Sequence, residues 1–423
     1  MARRYFGTDG VRGIVGKDLT PQLVERLGRA SALWMDGGGV VIGRDTRGSG
    51  PELEYAFSTG VASAGAHAML AGILPTPAVA LLATPGLGAV ISASHNPPEY
   101  NGVKFFRHDG SKLSDADEEA IEALLDSPPR NEEAGQIDDL VVAVDSYLDH
   151  VLERFGTDLT GLKIGVDCAN GAYSWIAPRA FAQLGAEVAT IGVEPDGTNI
   201  NVGCGATDLE ALKRLVLEQR LDLGVAFDGD GDRMLAVDGN GEALDGDQIV
   251  AVLALDLGVE RVAVTTMTNL GFHRLMADNG IGVVTTDVGD RYVLEALKRD
   301  GAVLGGEQSG HIIYLDGHVT GDGLAAALLL CNALRGRTLA ETAAVMERFP
   351  QVKENVEVAR RELSDDLRHE VDRVNERLAG RGRVLVRPSG TEPVIRVLAE
   401  AETDEEAAEL CASISALVVE ELG

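Results

Sequence analysis

The sequence predicts an α/β protein, with three similar mixed α/β domains followed by a smaller C-terminal α+β domain. One pattern recurs: an apolar strand, a small or polar loop and a helix, in "GVVIGRDTRGSGPELEYAF" from Gly39, "GLKIGVDCANGAYSWIAPRAF" from Gly161 and "VERVAVTTMTNLGFHRLMADNG" from Val259. Each copy is followed by a second apolar strand, and the starts lie about 120 and 100 residues apart, roughly one small domain each. After Phe349 the pattern becomes strand, helix, strand, turn, strand, helix. The composition agrees, because 51 glycines and only 4% aromatics suit many short elements joined by tight turns.

Taken in order, the first domain spans 1–145 and ends in the polar linker "LDSPPRNEEAGQIDDL". The helix "VVAVDSYLDHVLERF" leads into a second domain, 146–245. A third, 246–350, opens with the helix "GDQIVAVLALDLG". The fourth, 351–423, closes on a helix that starts after Thr403, an N-cap followed by three acids.

With 67 acidic and 37 basic side chains the net charge is -30, which disfavours nucleic acid and anionic membranes as partners. An anionic substrate then needs local Arg, Lys, backbone N–H groups or a metal. Cys168, Cys204, Cys331 and Cys411 form no metal or CxxC pattern, so they read as ordinary thiols in a reducing cytosol. The N-terminus has no apolar leader core and no 18-residue apolar span follows, which fits a cytoplasmic chain.

Four motifs carry chemistry. In "LGVAFDGDGDRMLAVD", Asp228, Asp230 and Asp232 alternate with glycines, and three carboxylates so close need a cation, Mg²⁺ where phosphate is also a ligand. An EF-hand is excluded by Arg233 at its sixth position and Gly239 at its twelfth. "VLVRPSGTEPVIRVLAE" offers Arg387, Ser389, Gly390, Thr391 and Arg396 as a phosphate grip. "LGGEQSGHIIYLDG" places Glu307, Ser309 and His311 at alternate positions, on one face if the segment is extended, where they suit sugar hydroxyls. "GAVISASHNPPEYNGVKFF" presents Ser94 in a loop stiffened by Pro97 and Pro98, with His95 beside it and Lys104 ten residues on. The opening "RRYFGTDGVRG" adds Thr8, Asp9 and Arg12. One such site per domain implies a central cleft where the domains meet.

Together "FGTDGVRG", "ISASHNP", "NGVKFF", "DGDGDR", "GEQSGH" and "RPSGTEP", in this order and over essentially the whole chain, resemble the α-D-phosphohexomutases. The resemblance implies four domains around a cleft and a phosphoryl group carried on Ser94. It also implies Mg²⁺ bound by Asp228, Asp230, Asp232 and a Ser94 oxygen, with His95, Lys104 and Arg12 as catalytic neighbours. Glu307, Ser309 and His311 then read the sugar, and Arg387, Ser389, Gly390, Thr391 and Arg396 bind the distal phosphate. Thr8, Asp9 and Arg233 complete the site. "FGTDGVRG", "GEQSGH" with Gln308, and "TTDVGDRYV" look like the glucosamine branch, whereas Pro98 and Tyr100 depart from the usual residues after the serine. The implied reaction interconverts glucosamine 6-phosphate and glucosamine 1-phosphate through a hexosamine 1,6-bisphosphate. Glucose or mannose phosphate is the alternative substrate and a non-catalytic sugar-phosphate sensor the remote one. The expected partner is a small sugar phosphate, and the resemblance is compatible with a homodimer and a priming kinase.

Overall fold

The computed structural model describes residues 4–7, 9–35, 38–84, 86–129, 134–360, 362–389 and 394–423. The first sheet contains β1 (Val11–Ile14), β2 (Gly39–Arg44), β3 (His67–Ile73), β4 (Gly86–Ile91), β5 (Tyr100–Arg107) and β6 (Ile137–Asp139), in the order β1-β5-β4-β2-β3-β6. The second orders β7 (Lys163–Asp167), β8 (Glu187–Ile191), β9 (Leu223–Phe227), β10 (Met234–Asp238) and β11 (Ala243–Leu244) as β11-β10-β9-β7-β8. The third orders β12 (Arg261–Thr265), β13 (Gly282–Thr286), β14 (Leu304–Gly306) and β15 (Ile312–Tyr314) as β13-β12-β14-β15.

The repeat seen in the sequence is therefore a repeat of topology. β2 lies between β3 and β4, β7 between β8 and β9, and β12 between β13 and β14, all parallel. Each third strand then turns back antiparallel, as β4 with β5, β9 with β10 and β14 with β15. The central strands are apolar almost throughout because both faces are covered, as in "GVVIG" of β2. Helices such as Gly50–Ser63 fill the crossovers, and Phe57 and Val61 from that helix pack with Val40, Ile42 and Phe105 in the first core.

One expected linker contains structure. Ile137–Asp139 pairs in parallel with β3 as an edge strand. Its three residues are all exposed and two are acidic, so no apolar pattern marks it.

The last sheet orders β16 (Gln351–Glu357), β17 (Arg383–Pro388) and β18 (Val394–Glu400) as β16-β18-β17, all antiparallel. Helices Asp365–Leu378 and Asp404–Leu422 cover it, and Thr403 caps the second by accepting from the Glu406 N–H. The described chain divides into two compact units, residues 1–266 with 282–344 and residues 267–281 with 345–423. The helix Leu270–Asp278 thus belongs by its contacts to the second unit, where Asn269 Nδ2 donates to the Phe349 carbonyl at 2.9 Å. All four cysteines are buried and free.

Candidate active site

The three chemical motifs of the first unit occupy the same connection in the three repeats. Ser94 lies between β4 and β5, Asp228 to Asp232 between β9 and β10, and Glu307 to His311 between β14 and β15. In each sheet the chain leaves the parallel core at the C-terminal end of the third strand, where ligands gather in open α/β sheets.

The aspartate loop is closed by its own first residue, since Asp228 Oδ1 accepts the N–H groups of Gly231 and Arg233, both at 3.1 Å. Its glycines are spatial necessities. A Cβ on Gly229 would lie 2.8 Å from the Ser94 carbonyl oxygen, and one on Gly231, at φ +78°, would lie 2.3 Å from the Tyr173 ring. Behind the loop, Tyr147 and Tyr173 donate to Asp322 at 2.8 and 2.9 Å. Asp322 caps the helix Gly323–Leu334, whose first N–H reaches the Gly231 carbonyl at 3.0 Å.

Ser94 Oγ donates to Asp228 Oδ2 at 2.6 Å and stands 3.3 Å from His95 Nδ1. Lys104 Nζ, buried, bonds Asp230 Oδ2 at 2.7 Å and Asp232 Oδ2 at 2.9 Å, and Asp9 at 3.3 Å. Thr76 Oγ1 donates to Asp230 Oδ2 at 2.6 Å. The three aspartates each offer an oxygen within 4.8 Å of the others, and among the described residues the buried Oδ1 atoms of Asp230 and Asp232 have no hydrogen-bond partner. Unused carboxylate oxygens around a serine hydroxyl are the donor set that a hard divalent ion takes. The residues therefore fit Mg²⁺.

Charge is divided unevenly within this cluster. Burial, then Asp232 and Asp230, pushes Asp228 up to about 8. Burial would also raise Asp232, but Lys104, His311 and Arg233 outweigh it and hold the carboxyl well below its ordinary range. Burial, Arg233 and Arg12 bring His95 down to about 4, so its ring is neutral near pH 7.

The structure adds two residues with no sequence signal. Lys112 Nζ bonds Asp9 at 2.6 Å and Asp290 at 2.5 Å. Asp290 lies 3.4 Å from His311 Nε2, and His311 Nδ1 lies 3.7 Å from Asp232. Lys104, Asp232, His311, Asp290, Lys112 and Asp9 thus form a closed ring of alternating groups, with Arg12 also paired to Asp9. Their partners are distant in sequence, which is why isolated lysines and aspartates gave no pattern.

One expectation needs correction. The Glu307 to His311 segment is a turn, with Gly310 at φ +90°, so simple alternation does not place its side chains. Glu307 and His311 instead face each other across the hairpin, with the Glu307 N–H donating to the His311 carbonyl at 3.0 Å, while Ser309 at the tip is exposed. Glu307 Oε1 accepts from the Gly289 N–H at 3.0 Å, and burial, then Asp290, raises its pKa. Arg233 Nε stands 3.9 Å from Asp232.

In the second unit, Arg387 and Arg396 are direct cross-strand partners, and Asn355 pairs with Arg396 from the other side. Two guanidinium groups so placed repel, and an anion between them turns repulsion into attraction. They line a cavity of about 290 Å³ with Met267, Lys353 and Asn355. Ser389, buried, follows β17 and its N–H bonds the Val394 carbonyl at 2.9 Å. Thr8, Gly390 and Thr391 lie outside the described residues.

Comparison with known proteins decides the family. The chain is 49% identical over 419 residues to a phosphoglucosamine mutase of Pelotomaculum thermopropionicum, covering 93% of this chain and 94% of that one. It is 45% identical over 444 residues to that of Bacillus subtilis, covering 99% of each. The chain belongs to the α-D-phosphohexomutase family. The four family profiles, phosphoglucomutase/phosphomannomutase domains I, II and III and the C-terminal domain, match residues 3–132, 145–241, 245–349 and 340–417. Among solved phosphohexomutases, a putative phosphomannomutase from Thermus thermophilus superposes with a TM-score of 0.83 at 26% identity, covering 99% of both chains. A family member from Burkholderia thailandensis gives 0.84 at 23%, covering 98% of this chain and 96% of that one, a likeness of fold. The three-plus-one architecture is thus that of the phosphohexomutases.

Proposed function

We propose that this protein interconverts glucosamine 6-phosphate and glucosamine 1-phosphate by way of phospho-Ser94. The observation that carries the reading is the contact between Ser94 Oγ and Asp228, 134 positions apart, within a buried set of three carboxylates and one lysine. A hydroxyl at the edge of a divalent-metal donor set is a phosphoryl carrier's geometry, and the relatives at 45 to 49% identity bear the name of this reaction.

In the reading, Asp228, Asp230, Asp232 and Ser94 hold Mg²⁺. Bound there, Mg²⁺ neutralises charge on the transferred phosphoryl oxygens. The bond from phosphorus to Ser94 Oγ breaks as one forms to the free sugar hydroxyl. The proton lost by that hydroxyl balances the proton Ser94 takes up. A hexosamine 1,6-bisphosphate results, and return of its other phosphate to Ser94 completes the cycle. Lys104 and Arg12 stabilise the moving oxygens, and His95 remains a neutral neighbour of the serine. Glu307 and His311, with Ser309 at the tip, receive the sugar. Arg387, Ser389 and Arg396 grip phosphate, with Gly390 and Thr391 expected to join them, and Thr8, Asp9 and Arg233 are assigned supporting places. Domain boundaries after residues 145, 245 and 350 suit this division of labour.

The test compares kcat/KM for glucosamine, glucose and mannose 6-phosphates with phosphorylated enzyme and Mg²⁺. Glu307 can pair with the protonated C2 amine, so the amino sugar should lead by about tenfold or more. A lead for glucose or mannose phosphate replaces the substrate and keeps the chemistry. Intact mass should show one phosphate that Ser94→Ala lacks, and adding a 1,6-bisphosphate to dephosphorylated protein separates priming by that compound from priming by a kinase. If no phosphate ever appears on Ser94, the mechanism is wrong.

A further inference from the structure

Ser94 is held in an unusual backbone conformation. Its φ is +53°, in the left-handed region that a residue with a side chain adopts only when its surroundings impose it. The imposing groups are identifiable. Arg47, wholly buried, spends all five of its N–H donors within this region. Nη2 donates to the carbonyls of Ser94 and Asn96 at 2.9 and 2.8 Å, and Nη1 to Tyr100 at 3.0 Å and to Pro97. Nε donates to Asp45 at 2.9 Å. Asp45 in turn accepts from Ser92 Oγ at 2.6 Å, and Ser92 Oγ accepts the Ser94 N–H at 2.9 Å.

The second group comes from the second repeat. Asn201 Nδ2 donates to the same two carbonyls, Ser94 at 2.9 Å and Asn96 at 3.2 Å. The opposite amide orientation would set its oxygen against two carbonyl oxygens, so the donor assignment is the one the surroundings allow. Asn201 is itself left-handed, at φ +59°, and its N–H is fixed on the Ala169 carbonyl at 2.9 Å.

We propose that Arg47 and Asn201 are positioning residues for the phosphoryl carrier. They clamp the carbonyls on either side of His95 from two domains and so set the direction of Ser94 Oγ toward the aspartate loop. The inference rests on the reading of Ser94 as that carrier. Among the described residues Ser94 Oγ bonds Asp228 and His95, and Arg47 and Asn201 meet Ser94 at its carbonyl instead. The effect is on alignment, where a displacement of about 1 Å can cost on the order of a hundredfold in rate.

Asn201→Gly is the informative variant, because glycine keeps the left-handed backbone and removes only the clamp. Single-turnover transfer from phospho-Ser94 to glucosamine 6-phosphate should fall about 10- to 100-fold, with sugar-phosphate affinity unchanged. Hydrogen exchange at the Ser94 and Asn96 amides should quicken in the same variant. Arg47→Lys, where it folds, should act in the same direction more strongly, because a lysine has three donors for five acceptors. Transfer and exchange both equal to wild type overturn the proposal, as does a lowered melting temperature with an unchanged rate per phosphorylated serine. If the wild type itself transfers nothing, the carrier reading fails, and the exchange measurement still decides whether the clamp orders the loop.

Discussion

Replacing Lys104 by methionine removes a charge and little volume from the centre of the site. The ammonium lies 2.7, 2.9 and 3.3 Å from Asp230, Asp232 and Asp9, and it is 1% exposed. Losing one partner of a buried ion pair leaves the other uncompensated and costs about 3 to 5 kcal/mol. At about 2 to 4 °C per kcal/mol for domains of this size, the melting temperature in chelator should drop by roughly 6 to 20 °C. Lys104 and a divalent ion compensate the same carboxylates, so the variant should bind Mg²⁺ more tightly than the wild type. A ligand at a hundred times its Kd returns about 2.7 kcal/mol, so saturating Mg²⁺ should restore about half or more of the loss. The assay is scanning calorimetry of both proteins in chelator and across a Mg²⁺ series, with activity at saturating Mg²⁺ as a companion. Recovered stability with depressed turnover is the expected pair, since the proposed function also has the lysine stabilise the transferring oxygens. Equal melting in chelator, or a smaller Mg²⁺ shift in the variant than in the wild type, would show that the lysine does not balance this cluster.

Asp230→Asn keeps an oxygen and removes a charge, so Mg²⁺ affinity by titration calorimetry should fall roughly tenfold or more, and phosphoryl transfer should fall further than sugar-phosphate binding; equal affinity would make the loop an acidic turn. In the second unit, burial and Arg383 depress His273 to about 4, below its unfolded value near 6.5. A depressed histidine favours folding above its unfolded pKa and loses that contribution as pH falls through the folded one. Between pH 6.5 and 4 this amounts to on the order of 2 to 3 kcal/mol. Protection factors for hydrogen exchange along Leu270–Asp278, taken against the intrinsic rate at each pH, should therefore fall on acidification, and His273→Leu should flatten the dependence. An unchanged pH profile in the variant would assign the effect elsewhere.

The architecture was legible because each repeat announces itself locally. "GVVIG", "KIGVD" and "RVAVT" are buried central strands, and a doubly covered strand has to be apolar. The Thr403 cap was readable for the same reason, since it acts on an N–H group three residues on. β6 escaped because an exposed edge strand of "IDD" carries no apolar pattern and is held by the β3 backbone and by the pairing of Asp138 with His67 at 2.9 Å. Within the site, Asp228, Asp230 and Asp232 could be found because like charges two residues apart need a reason. Arg47, Lys112, Asp290 and Asn201 could not, because their partners come from other domains or a loop about fifty residues away. Alternation misread Glu307 to His311, since a left-handed Gly310 turns the chain where an extended strand was assumed.

The placement of three chemistries on three equivalent hairpins makes the enzyme modular in an unequal way. The β14–β15 hairpin holds Gly289 through Glu307, and Asp232 and Asp290 through His311, while its tip meets its surroundings through main-chain bonds, Gly246 N–H to the Gln308 carbonyl at 3.0 Å and Met234 N–H to the Gly310 carbonyl at 2.9 Å. Such bonds accept any side chain that leaves Gly246 and Gly310 in place, where a Cβ would lie 2.0 and 2.4 Å from a neighbouring oxygen. The β4–β5 and β9–β10 hairpins interlock through side chains on both sides, Ser94 with Asp228 and Lys104 with Asp230 and Asp232. If this hairpin reads the sugar as proposed, a transplant of residues 308 and 309 that keeps Glu307, Gly310 and His311 retargets the enzyme, whereas the other two hairpins can be exchanged only together.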